Sequence, residues 1–119
     1  MHYNSIEKRK FVRARFPCRI SIYTSHGHVI STYTENISAG GVRVLIDENL
    51  EISSIVGLEL QFNENIIVCK GRIVWVLDKE SQYKSGLVYY DTGIEFYEIS
   101  DYDRGIINET IEKILRSEK

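Results

Sequence analysis

Four short runs between Phe16 and Trp75 alternate an inner and an outer set of residues, and this restricts the chain more than any other property. Phe16, Cys18, Ile20 and Ile22 alternate with Arg15, Arg19 and Ser21, while Val56, Leu58, Leu60 and Phe62 alternate with Gly57, Glu59 and Gln61. In a third example Ile67, Cys69, Gly71, Ile73 and Trp75 share one face, and Lys70 and Arg72 take the other. A two-residue period means strand with one buried face. The remaining strands are expected at His28–Ser38, Val42–Ile46 and roughly Gly86–Tyr97, the last bent at Gly93. His26-Gly27 and Asn63-Glu64-Asn65 supply tight turns, and Asp47–Ser54 and Asp78–Ser85 read as polar loops. Pro17 has no N–H to donate, so the first strand starts at an edge or before pairing begins. Six antiparallel strands with charge facing outward fit a small barrel, because closure removes the adhesive edges.

The period changes after Tyr97. Ser100 followed by Asp103 resembles a capping box, and Asp101 and Asp103 suit the positive end of a helix dipole. Ile106, Ile107, Ile111, Ile114 and Leu115 then recur at helical spacing, with Glu109, Glu112, Lys113 and Arg116 on the wet side. Gly105 weakens this helix by about 1 kcal/mol relative to Ala, so packing must hold it. The fold class is therefore all-β with a terminal helix. A single domain spans 1–119, with a basic arm at 1–15, a barrel at 16–97 and a helix at 100–116 that lids one mouth. The same apolar stripe also suits a homodimer or partner face.

With 43% hydrophobic residues in 119, the chain supports one modest core. No stretch approaches the roughly 20 apolar residues of a membrane span, and Met1 to Ser5 lacks a signal-peptide pattern, so a cytoplasmic protein without membrane insertion is expected. Cys18 and Cys69 are far apart, each inside an apolar run, and read as reduced structural residues. His26 and His28 lack a third ligand in the sequence and read as turn residues, so no metal or other cofactor is expected. No nucleophile, base and oxyanion grouping is recognisable, which argues against an enzyme.

The net charge of −2 conceals a polarity. Residues 1 to 20 hold Lys8, Arg9, Lys10, Arg13, Arg15 and Arg19 against one acid, Glu7, whereas the rest carries nine basic and sixteen acidic residues. A basic leader on an acidic body points to a local anion site rather than general affinity for nucleic acid. Arg9 and Arg13 stand four apart and share a face whether helical or extended. Their planar forks suit phosphate oxygens or the O6/N7 edge of guanine, whereas Lys8 and Lys10 add point charge.

Between the second and third strands lies Asn36-Ile37-Ser38-Ala39-Gly40-Gly41. An extended chain sends Asn36 and Ser38 to one face and Ile37 to the other, so an amide and a hydroxyl look out side by side. Gly40 and Gly41 allow positive φ, or close approach of a flat ligand to the main chain. A plain tight turn would also account for the segment.

Arg9-x-x-x-Arg13 before the first strand, Asn36-x-Ser38-x-x-Gly41 after the second, Gly71-x-x-x-Trp75 and Gly93-Ile94-Glu95-Phe96 together resemble a PilZ domain, a six-stranded antiparallel barrel with a C-terminal helix. The resemblance covers nearly the whole chain and implies a bacterial receptor for the second messenger cyclic di-GMP. Arg9 and Arg13 match the family arginines that clamp phosphates and contact guanine, and Asn36 and Ser38 match the positions that bind the other guanine. Gly41 matches the turn glycine, and Lys8 stands where a basic residue suits a stacked ligand dimer. The resemblance further implies that the leader folds over the messenger and that a downstream partner protein detects the new surface. Two alternatives stand beside it. One is a PilZ-like adaptor that binds no nucleotide, a variant that typically lacks the arginines. The other is a barrel that stacks single-stranded nucleic acid on its tyrosines, against which the acidic body argues.

Overall fold

The structure, a computed structural model, describes residue 14, residues 17–62, 64–80 and 88–117. Six strands, β1 (Arg19–Tyr23), β2 (Val29–Ser38), β3 (Gly41–Ile46), β4 (Ile55–Phe62), β5 (Asn65–Glu80) and β6 (Val88–Glu98), precede one helix, α1 (Asp101–Ser117). Every pairing is antiparallel, and the sheet closes in the order β1-β2-β3-β6-β5-β4. Sequence neighbours pair at β1-β2, β2-β3, β4-β5 and β5-β6, while β1-β4 and β3-β6 complete the ring.

Alternation dictates what lies inside. Ile20 and Ile22 of β1 face Leu58 and Leu60 of β4 in register, and all four are buried with Val56, Phe62, Ile67 and Ile73. Phe62 is fully buried and is among the largest side chains in the core. Pro17 precedes the first ladder pair, Arg19↔Tyr33, so its missing donor costs no strand bond. The β1-β2 turn uses Gly27 at φ 85. Thr24 receives the Gly27 N–H on its carbonyl and the His28 N–H on its hydroxyl.

Two local departures from strict alternation matter for the surface. In β2 the register slips between Thr34 and Asn36, which leaves Glu35 as the extra residue. In β5 it slips between Ile73 and Trp75, with Val74 inserted. A one-residue slip exchanges faces. Trp75 therefore does not share the inner face of Ile73, as the alternation predicts. It turns outward opposite Gly93, and Val76 packs against the core in its place. β5 also runs to Glu80, which pairs with Val88, so residues 78–80 of the expected polar loop belong to the strand.

The helix begins where its cap residue predicts. Ser100 Oγ accepts the Asp103 N–H at 3.0 Å and the Ser100 carbonyl accepts the Arg104 N–H at 3.0 Å. Ile107 and Ile111 are fully buried in the common core, and Ile106 and Leu115 pack against it. Cys18 and Cys69 are buried free thiols. Burial pushes the Cys69 thiol up to about 11, with Asp103 adding to the rise and Arg104 opposing it. Burial likewise raises Cys18, against a hydrogen bond with Thr34 that lowers it. Neither supports a reactive thiolate at neutral pH.

Candidate functional site

The outer face of β2, β3, β6 and β5 carries a continuous cross-strand row. Asn36 lies opposite Arg43, Arg43 opposite Gly93, and Gly93 opposite Trp75. Three strand spacings make this a shelf about 14 Å wide. Its floor is Gly93, where an added Cβ would lie 2.2 Å from Trp75 Nε1, so the indole edge rests on the bare backbone of β6. A row below, Ser38, Gly41, Glu95 and Arg72 lie opposite one another in turn. Arg72 there pairs with Glu95 at 3.5 Å and covers the Tyr97 ring at 4.5 Å.

The ledge between β2 and β3 is braced from several sides. Ile37 is fully buried and Asn36 half-buried, as the period requires. Ser38 departs from the expectation of an outward-looking hydroxyl, because it is only 5% exposed and its Oγ accepts the Gly40 N–H at 3.0 Å. That bond uses an acceptor lone pair and leaves the O–H hydrogen to donate. The glycines also differ from expectation. Among the described residues only Gly27 and Ser53 have positive φ, so neither Gly40 nor Gly41 supplies a left-handed turn. Gly41 is required by packing instead, since a Cβ would meet Ile94 O at 2.2 Å on the adjacent strand. Gly40 accepts the Phe96 N–H on its carbonyl at 2.9 Å, and Arg104 Nη1 of α1 donates to the Ala39 carbonyl at 3.0 Å. Strand β6 and the helix thus both hold the turn.

The basic candidates Lys8, Arg9, Lys10 and Arg13 lie outside the described residues. Ala14, which follows Arg13 in the chain, is described, and it forms an isolated antiparallel bridge with Ile37. Ala14 N–H donates to the Ile37 carbonyl at 2.9 Å and Ile37 N–H to the Ala14 carbonyl at 3.0 Å. The chain therefore joins the barrel at the residue between Asn36 and Ser38.

Two residues of the shelf are not among the site candidates read from the sequence. Arg43 forms a two-point ion pair with Asp91, Nε to Oδ1 at 2.7 Å and Nη2 to Oδ2 at 2.9 Å, across 48 residues of chain. No local pattern marks such a pair. Trp75 was misplaced to the core because the β5 slip is invisible in the alternation. The available signal was a glycine, Gly93, in a strand rich in aromatic and β-branched residues, which calls for a large side chain from a neighbour. Among the described residues no group of His, Cys, Asp and Glu could hold a metal ion, and no helix is long and apolar enough to cross a membrane.

The chain is a closed antiparallel barrel whose core is completed by a C-terminal helix, with a polar ledge on its outer wall. The PilZ domain profile matches residues 7–113, and the chain belongs to that family. Solved structures share the fold at low sequence identity. The Bacillus subtilis inhibitor of motility, MotI/DgrA, superposes with a TM-score of 0.78 at 18% identity, over 93% of this chain and 53% of its own. The PilZ domain of YcgR from Escherichia coli, solved with c-di-GMP, gives 0.72 at 10% identity over 93% and 96%. The K. pneumonia MrkH complex with c-di-GMP gives 0.75 at 15% identity over 92% and 53%. The chain thus spans about half the length of MotI/DgrA and MrkH. No curated protein sequence matches it.

Proposed function

We propose that this chain is a cyclic di-GMP receptor domain that holds the messenger between its basic leader and the outer shelf. The observation that carries the proposal is the Ala14–Ile37 bridge. It fixes a residue next in sequence to Arg13, and five after Arg9, directly beside Asn36 and Ser38. In this reading Arg9 and Arg13 bind phosphate oxygens and a guanine edge, and Lys8 and Lys10 add positive charge. Asn36 and the free O–H hydrogen of Ser38 read the second guanine, and Gly40 and Gly41 keep the ledge low enough for a base to approach. Arg43 and Trp75 extend the surface with two flat groups suited to purines. Support also comes from family membership and from the two neighbours solved with c-di-GMP.

Binding orders the leader over the shelf, and the cost of that ordering is offset by charge-assisted hydrogen bonds worth roughly 1.5–3 kcal/mol each. The remodelled face then engages a downstream protein or a second copy of the chain.

Calorimetric titration with cyclic di-GMP tests the proposal, with GTP and cyclic di-AMP as controls. Wild type should bind cyclic di-GMP alone, and Arg13→Ala should abolish most of the heat. Ser38→Ala should weaken binding, but it also removes the Gly40 N–H acceptor, so its melting temperature must be measured alongside. Equal affinity of wild type and Arg13→Ala would refute the assigned site.

A further inference from the structure

Asp91 is the only charged residue that is buried among the described residues, yet it stands on the outer wall of the barrel. Its ladder partners are Leu45 on β3 and Leu77 on β5, both exposed, so its strand position points away from the core. Its side chain is nevertheless 5% exposed, and Arg43, itself 37% exposed, closes over it. Arg43 reaches diagonally from its own partner Gly93 to a residue two further along β6.

Such a pair is a poor device for stability. Removing a carboxylate from water is costly, and a shielded ion pair does little better than apolar groups of the same volume. What it supplies is orientation. Two parallel hydrogen bonds, through Nε and Nη2, fix the plane of the guanidinium as one bond would not. They also occupy one of the two edges by which a guanidinium can grip an oxyanion. Donor hydrogens remain on Nη1 and one on Nη2, together with the flat faces of the group.

We propose that Asp91 is a positioning residue for ligand recognition: it locks the Arg43 guanidinium as a flat plate on the shelf, with a face presented to a purine. The proposal rests on the reading that this shelf takes cyclic di-GMP, and assigns Arg43 a contribution through shape and not through charge. Trp75 lies on the far side of Gly93 in the same row, so the shelf offers one planar group on each side of a bare backbone floor.

The test is titration of the whole chain with cyclic di-GMP at low and high salt for wild type, Arg43→Lys, Arg43→Ala, Asp91→Asn and the Arg43→Ala/Asp91→Asn double variant. Arg43→Lys keeps a cation beside Asp91 but has no plane, and it should lose affinity as Arg43→Ala does, by roughly tenfold. Arg43→Lys should keep the wild-type salt slope, because it retains the cation beside Asp91. Asp91→Asn removes a negative charge from the neighbourhood of an anionic ligand, and simple attraction predicts tighter binding. Positioning predicts several-fold weaker binding, and a double variant no weaker than Arg43→Ala alone.

Tighter binding by Asp91→Asn with a steeper salt slope would overturn the proposal, as would wild-type affinity in Arg43→Lys. If Asp91→Asn does not fold, Arg43→Lys still decides the question, since Arg43 is partly exposed and lysine retains the ion pair. Wild type that takes up no cyclic di-GMP would instead remove the shelf reading itself. The two failures are therefore distinguishable.

Discussion

The flank built from β1 and β4 and the wall built from β2, β3, β6 and β5 belong to one ring of strands but obey different rules. On the flank, β1-β2, β1-β4 and β4-β5 pair without a slip, and inward residues such as Leu58, Leu60 and Phe62 are almost wholly buried. The wall has slips at Glu35, at Val74 and between Lys70 and Gly71. It also holds Gly41 and Gly93 where side chains cannot fit, and the Asp91–Arg43 pair. Regular pairing makes a core, whereas bulges aim side chains that alternation alone would bury or misdirect. The candidate site sits on the irregular half.

Breaking each half should have different consequences. Phe62→Ala on the flank empties a fully buried aromatic position and should cost about 3–5 kcal/mol of unfolding free energy, read by denaturant titration. The affinity of the molecules that remain folded should not change. On the wall, Gly41→Ala and Gly93→Ala form the sharper pair, because both create a nominal 2.2 Å approach but against different objects. Gly41→Ala strikes the Ile94 carbonyl and must part β3 from β6, which should cost about 1–3 kcal/mol or more. Gly93→Ala strikes the pyrrole edge of the Trp75 indole, a side chain rather than backbone. It should cost less stability than Gly41→Ala, shift tryptophan fluorescence, and weaken ligand binding. Loss of stability equal to that of Gly41→Ala would show that the indole is structural rather than part of the shelf.

Two smaller effects concern β5 and the helix. The Cys69 thiol is neutral when folded up to about 11, against an ordinary value of 9.0. A folded value above the unfolded one gives stability that is complete below 9.0 and is lost as pH rises towards about 11. Thermal melts of Cys69→Ala should therefore show less of the alkaline decline than wild type, whatever their starting stability. Gly105 is exposed on α1, and a Cβ there meets nothing within 4 Å. Gly105→Ala should raise stability by up to about 1 kcal/mol, and a decrease would mean that this part of the helix has a covering partner.

The regular flank was legible in the sequence because burial there follows the backbone period alone. β4 was foreseen from Val56 with its inner face correct, and Ser100 marked the helix start through its side chain. Asn36 and Ile37 fell on the expected faces for the same reason. Trp75 did not, because one inserted residue, Val74, has no signature among β-branched neighbours. The role of Gly41 was also hidden, since its constraint comes from Ile94, 53 positions away. Arg43 carries its meaning only beside Asp91, and Ser38 only beside Gly40 N–H. Contacts between distant segments leave no periodicity to find.

The bridge between Ala14 and Ile37 has a further consequence for measurement. It rests on two hydrogen bonds between Ala14 and Ile37, each with a net worth of roughly 0.5–1.5 kcal/mol. Ile37 N–H is bonded to Ala14, so deuterium uptake at that one amide is a direct clock for opening at the chain's entry point.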